Sequence, residues 1–322
     1  MRCHSPLLSV ALVLFLLSLS GGQALVFPSQ CADDAALRSC TSELNVAILF
    51  QGWDYMDLLL RTFTAVFYQA RFAEMERAHN ITCNLYFFWD SREGGDVQDG
   101  KLESLHIDVA FGPGGVGSWN TPPGYGEKIR QFVLRGGGFL GACGDAYLGT
   151  MGAINVPEDY DDILYRLFGF QGMTPPLEMV NVYFDAGPFA QHFEPRYTQN
   201  NFYVLLFLLT FFVSQAQVRF APQGLPFAEA YANKTVSIME SGVPMVEAPP
   251  DHDASHPSFY PIATFAGVRS LYDASLFENK YAIVTGPYGE GKVVLSAVHP
   301  EISMGNRDAH RIFAEMILWL SA

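Results

Sequence analysis

The sequence predicts an α/β protein built on a doubly wound, mostly parallel sheet. Continuous apolar runs such as residues 44–50 suit strands buried on both faces. Between them lie stretches whose apolar residues recur three and four apart, the period of an amphipathic helix. Alternation of the two makes βαβ units, whose crossovers bring neighbouring strands parallel.

In chain order, a first strand is expected over residues 44–50 and a helix over about 55–79. A second strand falls at 84–89 and a third at 107–111, the latter closing in Gly112-Pro113-Gly114-Gly115. A helix over 126–135 leads into a fourth strand at 137–142. The second half is less regular, with strands expected at 178–184, 261–265, 281–285 and 292–297. A last helix over 307–320 has Ile312, Met316, Ile317 and Leu320 along one face. Residues 249–257 are polar and proline-flanked, hence a loop. No internal repeat and no separating linker divides residues 44–322, which are expected to form one domain.

The 322 residues are 49% apolar and 16% charged, enough for a large core. A net charge of −14 argues against nucleic acid or an anionic membrane surface as partner, because both reward clustered Lys and Arg. Arg2 and His4 precede an apolar stretch over 7–19, and Gly22-Gln23-Ala24 places small residues at cleavage positions. Residues 1–24 therefore read as a secretory signal peptide, with an uncleaved anchor as the alternative, and 25–43 as an N-terminal arm. The sequons at Asn80 and Asn233 fit glycosylation of a protein secreted or held in the lumen of the secretory or endolysosomal pathway. In that oxidising compartment Cys31, Cys40 and Cys83 can supply one disulfide, whose pairing stays open.

One segment breaks the pattern. Residues 202–213 are twelve consecutive, almost wholly apolar residues followed by Ser-Gln. They are too few for an ordinary membrane-spanning helix. Either they form a buried helix or strand pair, or the region around 190–217 is a retained intron, since Phe, Leu and Ser codons followed by a Gln codon imitate a pyrimidine tract and splice acceptor.

Two motifs carry chemistry. In residues 135–147, Arg-Gly-Gly-Gly-Phe-Leu-Gly-Ala-Cys-Gly-Asp-Ala-Tyr, a strand runs through a small-residue turn into a helix. That is the geometry of a nucleophile elbow, which lifts Cys143 above the sheet edge and points the next N–H toward an oxyanion. A helix N-terminus also favours a thiolate. The plainer alternative is a small buried cysteine in a glycine-rich strand. In residues 289–301 a strand ends in His299-Pro300-Glu301. A cysteine nucleophile needs a base and the base an orienting acid, which His299 and Glu301 can supply; alone, the tripeptide reads as a turn.

Together the Phe-Leu-Gly-Ala-Cys elbow, the Gly-Lys-Val-Val-Leu-Ser-Ala-Val-His-Pro-Glu ending and the Gly112-Pro113-Gly114-Gly115 loop resemble class I glutamine amidotransferase-like domains. The Cys-x-x-Ala-Tyr continuation is most similar to the branch named for the N-terminal domain of biotin-protein ligases. The resemblance runs from about residue 45 to the C-terminus, interrupted around 190–217. It implies a flavodoxin-like sheet, Cys143 as nucleophile, His299 as base, Glu301 as orienting acid, and an oxyanion pocket from the Gly144 N–H and one N–H of the Gly114-Gly115 loop.

The chain departs from the family's glutaminase signature in two places. Asp145 stands where glycine is usual and Tyr147 where glutamine is. Asp145 is expected either to strain the elbow or to set a carboxylate near the thiol. Neither glutaminase nor biotin-ligase activity is supported. The expectation is a secreted cysteine-dependent amidase or hydrolase, with a Cys-His-Glu triad and a small amide or carboxylate-containing substrate. A catalytically inactive ligand-binding or structural relative is the alternative. No cofactor and no metal are called for, since the acid and histidine residues of 251–256 match no defined metal spacing. Trp53, Trp89 and Trp119 follow expected strand ends, where pockets of open α/β sheets lie.

Overall fold

The computed structural model describes residues 25–27, 42–51, 56–91, 94–115, 118, 120–156, 174–188, 214–240, 243–247, 258–269 and 273–322. Residues 1–24, Cys31, Cys40, Trp53, Trp119, most of 190–217 and residues 251–256 lie outside the described residues. In the first part of the chain come β1 (Leu25–Phe27), β2 (Glu43–Gln51), α1 (Met56–His79), β3 (Thr82–Ser91), β4 (Gly94–Gly95), α2 (Lys101–Ser104) and β5 (Val109–Gly112). Next are α3 (Tyr125–Leu134), β6 (Gly138–Ala142), α4 (Gly144–Gly149), β7 (Ala153–Ile154), β8 (Val182–Asp185), β9 (Gln215–Phe220) and β10 (Thr235–Glu240). β11 (Met245–Glu247), β12 (Tyr260–Arg269), β13 (Tyr281–Tyr288), β14 (Gly291–Ser296), β15 (Val298–His299) and α5 (Arg307–Ser321) complete the chain.

The fold is α/β with one large mixed sheet. Its main path runs β1-β3-β2-β5-β6-β14-β13-β12-β9-β10-β15. The five strands from β3 to β14 along this path are parallel to one another, as the apolar runs predict, while β1 and β4 pair with β3 antiparallel. β6 is buried at all five positions, as a central parallel strand must be.

Beyond β14 the expectation of a mostly parallel sheet is corrected: each neighbour along the path from there to β15 is antiparallel. The physical reason is local. β13 and β14 pair up to Tyr288 and Gly291 across a two-residue loop, with Gly289 at φ 62°, and so short a connection permits only an antiparallel hairpin. In β9, the buried Ala216, Val218 and Phe220 alternate with less buried positions, the pattern of a strand with one face on the core. This strand, absent from the sequence expectations, includes the last residues of the atypical 190–217 segment and pairs on both edges.

The strand expected over 178–184 is also corrected, to Val182–Asp185. Glu178 has φ 54°, outside strand geometry. The N–H groups of Leu177, Glu178, Met179 and Val180 instead donate to the carbonyls of Leu148, Thr150, Gly149 and Gly149. They thereby satisfy acceptors that the C-terminal end of α4 leaves open.

Helices follow their apolar spacing. α3 buries Tyr125, Ile129, Phe132 and Val133. In α5 the side chain of Asn306 accepts the Ala309 N–H at 3.1 Å, a cap that starts the helix. The buried face then presents Ile312, Phe313, Met316, Ile317 and Leu320. α1 and α5 meet over β5, where Tyr68 and Phe313 pack on Phe111 and Phe72 packs edge-on to Phe313. Among the described residues no helix is long and apolar enough to cross a membrane.

Candidate functional site

Register brings the two motifs together. In the parallel pair β6–β14, Ala142 lies opposite Ser296, and the next N–H, that of Cys143, donates to Ser296 O at 2.9 Å. His299 follows three residues beyond Ser296. The elbow and the histidine are therefore on adjacent strand ends, at the carboxyl edge of the parallel strands, where α/β sheets place their sites.

Cys143 has φ 51° and ψ −116°. A non-glycine residue held there carries on the order of 1–3 kcal/mol of backbone strain, a feature that clusters at functional sites. The close approach of the glycine loop shapes the turn. A Cβ on Gly144 would lie 2.3 Å from Gly115 O, and one on Gly114 would lie 2.6 Å from the Cys143 Cβ. α4 has only six residues. Its peptide dipoles sum to less at the sulfur than those of a full-length helix.

His299 is held on one side of its ring and faces the thiol with the other. Nδ1–H donates to Glu301 Oε1 at 2.6 Å, and Cys143 lies close enough to the imidazole to favour its charged form. Burial pushes the imidazolium pKa down. The Glu301 carboxylate and the nearby Cys143 outweigh it, raising the pKa from 6.5 to about 10. The histidine backbone is fixed by Ser303, whose hydroxyl donates to His299 O at 2.7 Å and accepts the Met239 N–H at 2.8 Å.

Asp145 neither crowds the elbow nor turns its carboxylate on the thiol as its main contact. Oδ2 accepts the Gly114 N–H at 2.8 Å and Oδ1 accepts Gln51 Nε2 at 2.9 Å. Gln51 Nε2 also donates to Tyr125 Oη at 2.8 Å. Room for the carboxyl comes from Gly112, where a Cβ would sit 2.5 Å from Asp145 Cγ. Of the two loop N–H groups, one of which is expected to serve an oxyanion, that of Gly114 is thus held by Asp145.

Tyr147 is a packing residue. Its hydroxyl donates to Thr174 O at 2.8 Å and its ring packs edge-on to Phe184. Asn80 and Asn233 are both exposed. Cys83 is buried on β3. Trp89 lies inside β3, which continues to Ser91, rather than beyond a strand end.

Several residues of the site carry no motif. Gln51 had one legible signal, a polar residue closing an apolar strand. Tyr68 is buried close enough to Glu301, Asp145 and Cys143 for burial and those three groups to raise its pKa well above 10. Glu240, at the end of β10, pairs opposite Val298, next to His299. It is fully buried and neither carboxyl oxygen finds a hydrogen-bond partner among the described residues. Burial raises its pKa from 4.5 to about 8, with His299 pulling it down. Among the described residues no cluster of His, Cys, Asp and Glu suited to a metal is found.

No protein-family model matches the chain, and no curated protein matches it. Among solved structures it is similar to a β-galactosidase from Bacillus circulans sp. alkalophilus at 11% identity and TM-score 0.40, over 85% of this chain and 30% of that one. A ThuA-like protein from Bacteroides uniformis has 9% identity and TM-score 0.43, over 88% of this chain and 94% of that one. A cytoplasmic protein from Salmonella typhimurium LT2 has 12% identity and TM-score 0.38, over 86% and 99%. The chain thus spans less than a third of the β-galactosidase it matches. Likenesses this distant carry no activity to this chain.

Proposed function

We propose that this chain is a cysteine-dependent amidase or hydrolase of the class I glutamine amidotransferase-like type, in the branch related to the N-terminal domain of biotin-protein ligases. The observation that supports it most is the placement of Cys143, on a positive-φ elbow, against a His299 ring whose Nδ1–H donates to Glu301. The spatial order β3-β2-β5-β6-β14 of the parallel strands, which is 2-1-3-4-5 in their own sequence order, supports a flavodoxin-like core. An apolar stretch over 7–19 and two exposed sequon asparagines support a secretory destination.

In this reading the Cys143 sulfur attacks the carbonyl carbon of a small amide, γ-glutamyl-like or otherwise carboxylate-bearing. His299, with its pKa raised to about 10, already holds the proton that leaves the thiol, and the carbonyl oxygen takes up negative charge as the sulfur bonds to carbon. His299 then protonates the leaving nitrogen as the C–N bond breaks, leaving a thioester on Cys143. Water attacks the thioester, giving its proton to His299, and the acid and the thiol are released. Glu301 holds the Nδ1–H throughout and offsets the imidazolium charge.

The alternative is an inactive relative that binds a small ligand. One observation favours it: Cys143 is only 8% exposed and His299 only 3%. Iodoacetamide labelling with a mass readout on each cysteine decides between them. The enzyme reading expects Cys143 to be labelled at pH 7 at least about 10-fold faster than in His299→Ala. Equal labelling, or none at Cys143, favours the binding module.

A further inference from the structure

We propose that Asp145 is a positioning residue for acyl transfer: its buried carboxyl clamps the Gly114-Gly115 loop against the Cys143 elbow, leaving the N–H groups of Gly115 and Gly144 as the donors for an oxyanion. The inference rests on the acyl-transfer reading above and assigns a purpose to the residue by which this chain departs from a glutaminase.

Two segments hold this one carboxyl and a third braces them. The loop after β5 sends the Gly114 N–H to Oδ2 at 2.8 Å, and the end of β2 sends Gln51 Nε2 to Oδ1 at 2.9 Å. Ser118, from the same loop as Gly114, brings its hydroxyl to the carboxyl and also donates to Gln51 Oε1 at 3.5 Å, and α3 joins through Tyr125, which accepts from Gln51. A backbone N–H and a carboxamide NH2 can only donate, so both carboxyl oxygens are required as acceptors. A glycine here would leave two buried donors without partners, and an asparagine would leave one, at roughly 1–3 kcal/mol each.

The arrangement is costly, which argues that it is kept for a purpose. Asp145 is fully buried. Burial lifts its pKa from 3.8 to about 7 against the hydrogen bonds from Gly114, Ser118 and Gln51. The ionisable groups around it are Tyr68 from α1, Tyr125 from α3 and Cys143 from its own turn, none of them a permanent cation. Beyond them stand Glu301, near Tyr68, and Asp90, near Tyr125, both acidic. The clamp is therefore strongest when Asp145 is ionised, above about pH 7.

Two reagents separate the clamp from the thiol. Iodoacetamide alkylates sulfur by displacement of iodide and forms no oxyanion. With p-nitrophenyl acetate, the sulfur attacks the ester carbonyl, the oxygen carries negative charge, and p-nitrophenolate leaves with the bonding electrons to give acetyl-Cys143. Both need the same thiolate, so the ratio of acetylation to alkylation rates cancels its ionisation and reads the oxyanion donors alone. The ratio in the wild type is expected to rise with pH through about 7. Asp145→Asn is expected to lower it at least about 10-fold at pH 8, to abolish the pH step, and to leave alkylation within about threefold. Ser118→Ala, which removes one donor and keeps the carboxyl, is expected to lower the ratio about two- to fivefold and serves if Asp145→Asn does not fold.

An unchanged ratio in these variants, or a pH step that survives Asp145→Asn, overturns the clamp. His299→Ala is expected to slow both reactions and leave the ratio alone. If it slows neither, the dyad reading fails while the clamp is still judged by the ratio. A wild-type thiol inert to both reagents at pH 8 overturns both readings together.

Discussion

At His299 burial and charge oppose one another. Burial alone would discharge the imidazolium, yet Glu301 and Cys143 raise its pKa from 6.5 to about 10. Because the folded value is raised, this group's contribution to stability is fully present below pH 6.5 and is lost as pH rises through about 10. Glu301→Gln removes the largest of the raising effects, so the proton leaves His299 at lower pH. The expected outcome is that Cys143 alkylation in this variant, followed from pH 6 to 10, loses its histidine-dependent component several-fold at neutral pH. A profile superimposable on the wild type would show that Glu301 does not hold the imidazole charge. The sequence made these partners visible as a Cys elbow and a His-Pro-Glu ending. Their hydrogen bonds depend on Ser296 pairing with Ala142, a register that no motif records.

Among the elements, the elbow and the glycine loop fit as one unit. Gly112 lacks a Cβ in the space that the Asp145 carboxyl fills, so each explains the other. Gly112→Ala is expected to destabilise the protein by about 1–3 kcal/mol through overpacking in chemical denaturation. In an Asp145→Gly background the added methyl meets none of those carboxyl atoms, and the expected cost of Gly112→Ala falls to under about 1 kcal/mol. Additive costs in the double-mutant cycle would contradict the pairing. In the sequence Asp145 stood out only as a departure from a family pattern. Its hydrogen-bonding partners come from two separate parts of the chain, Gln51 from the end of β2 and Gly114 and Ser118 from the loop after β5, and only packing brings them together. Elsewhere, the strand expected at 178–184 gave way because its first N–H groups satisfy α4 instead of a strand neighbour.

Over the whole molecule, a parallel half and an antiparallel half share one sheet, and the candidate site lies near their join at β14. On the antiparallel side, β10 carries Glu240, whose carboxyl is raised to about 8 by burial. An acid whose folded pKa is raised takes up a proton on folding, so its stability penalty grows from pH 4.5 to about 8 and then levels. Glu240→Gln is expected to gain stability over the wild type across that window, by on the order of 2–4 kcal/mol at pH 9, measured by denaturant unfolding at pH 5 and pH 9. A difference independent of pH would show that Glu240 is ionised in both states.

The sequence by itself determined the parallel half. Apolar runs, helical spacing and glycine turns locate β2, α1, β3, β5, α3 and β6 to within a few residues, because strands buried on both faces and amphipathic helices must be written in hydrophobic pattern. It also marked Cys143, His299 and Glu301. Tertiary structure decided the rest. The pairing of the antiparallel half, and the existence of β9 and β10, are set by packing rather than by local pattern, although the sequence marks strands at β12, β13 and β14. The use of Asp145 was decided there too, since a buried carboxyl is defined by the donors that reach it, and these are contributed from two other stretches of chain.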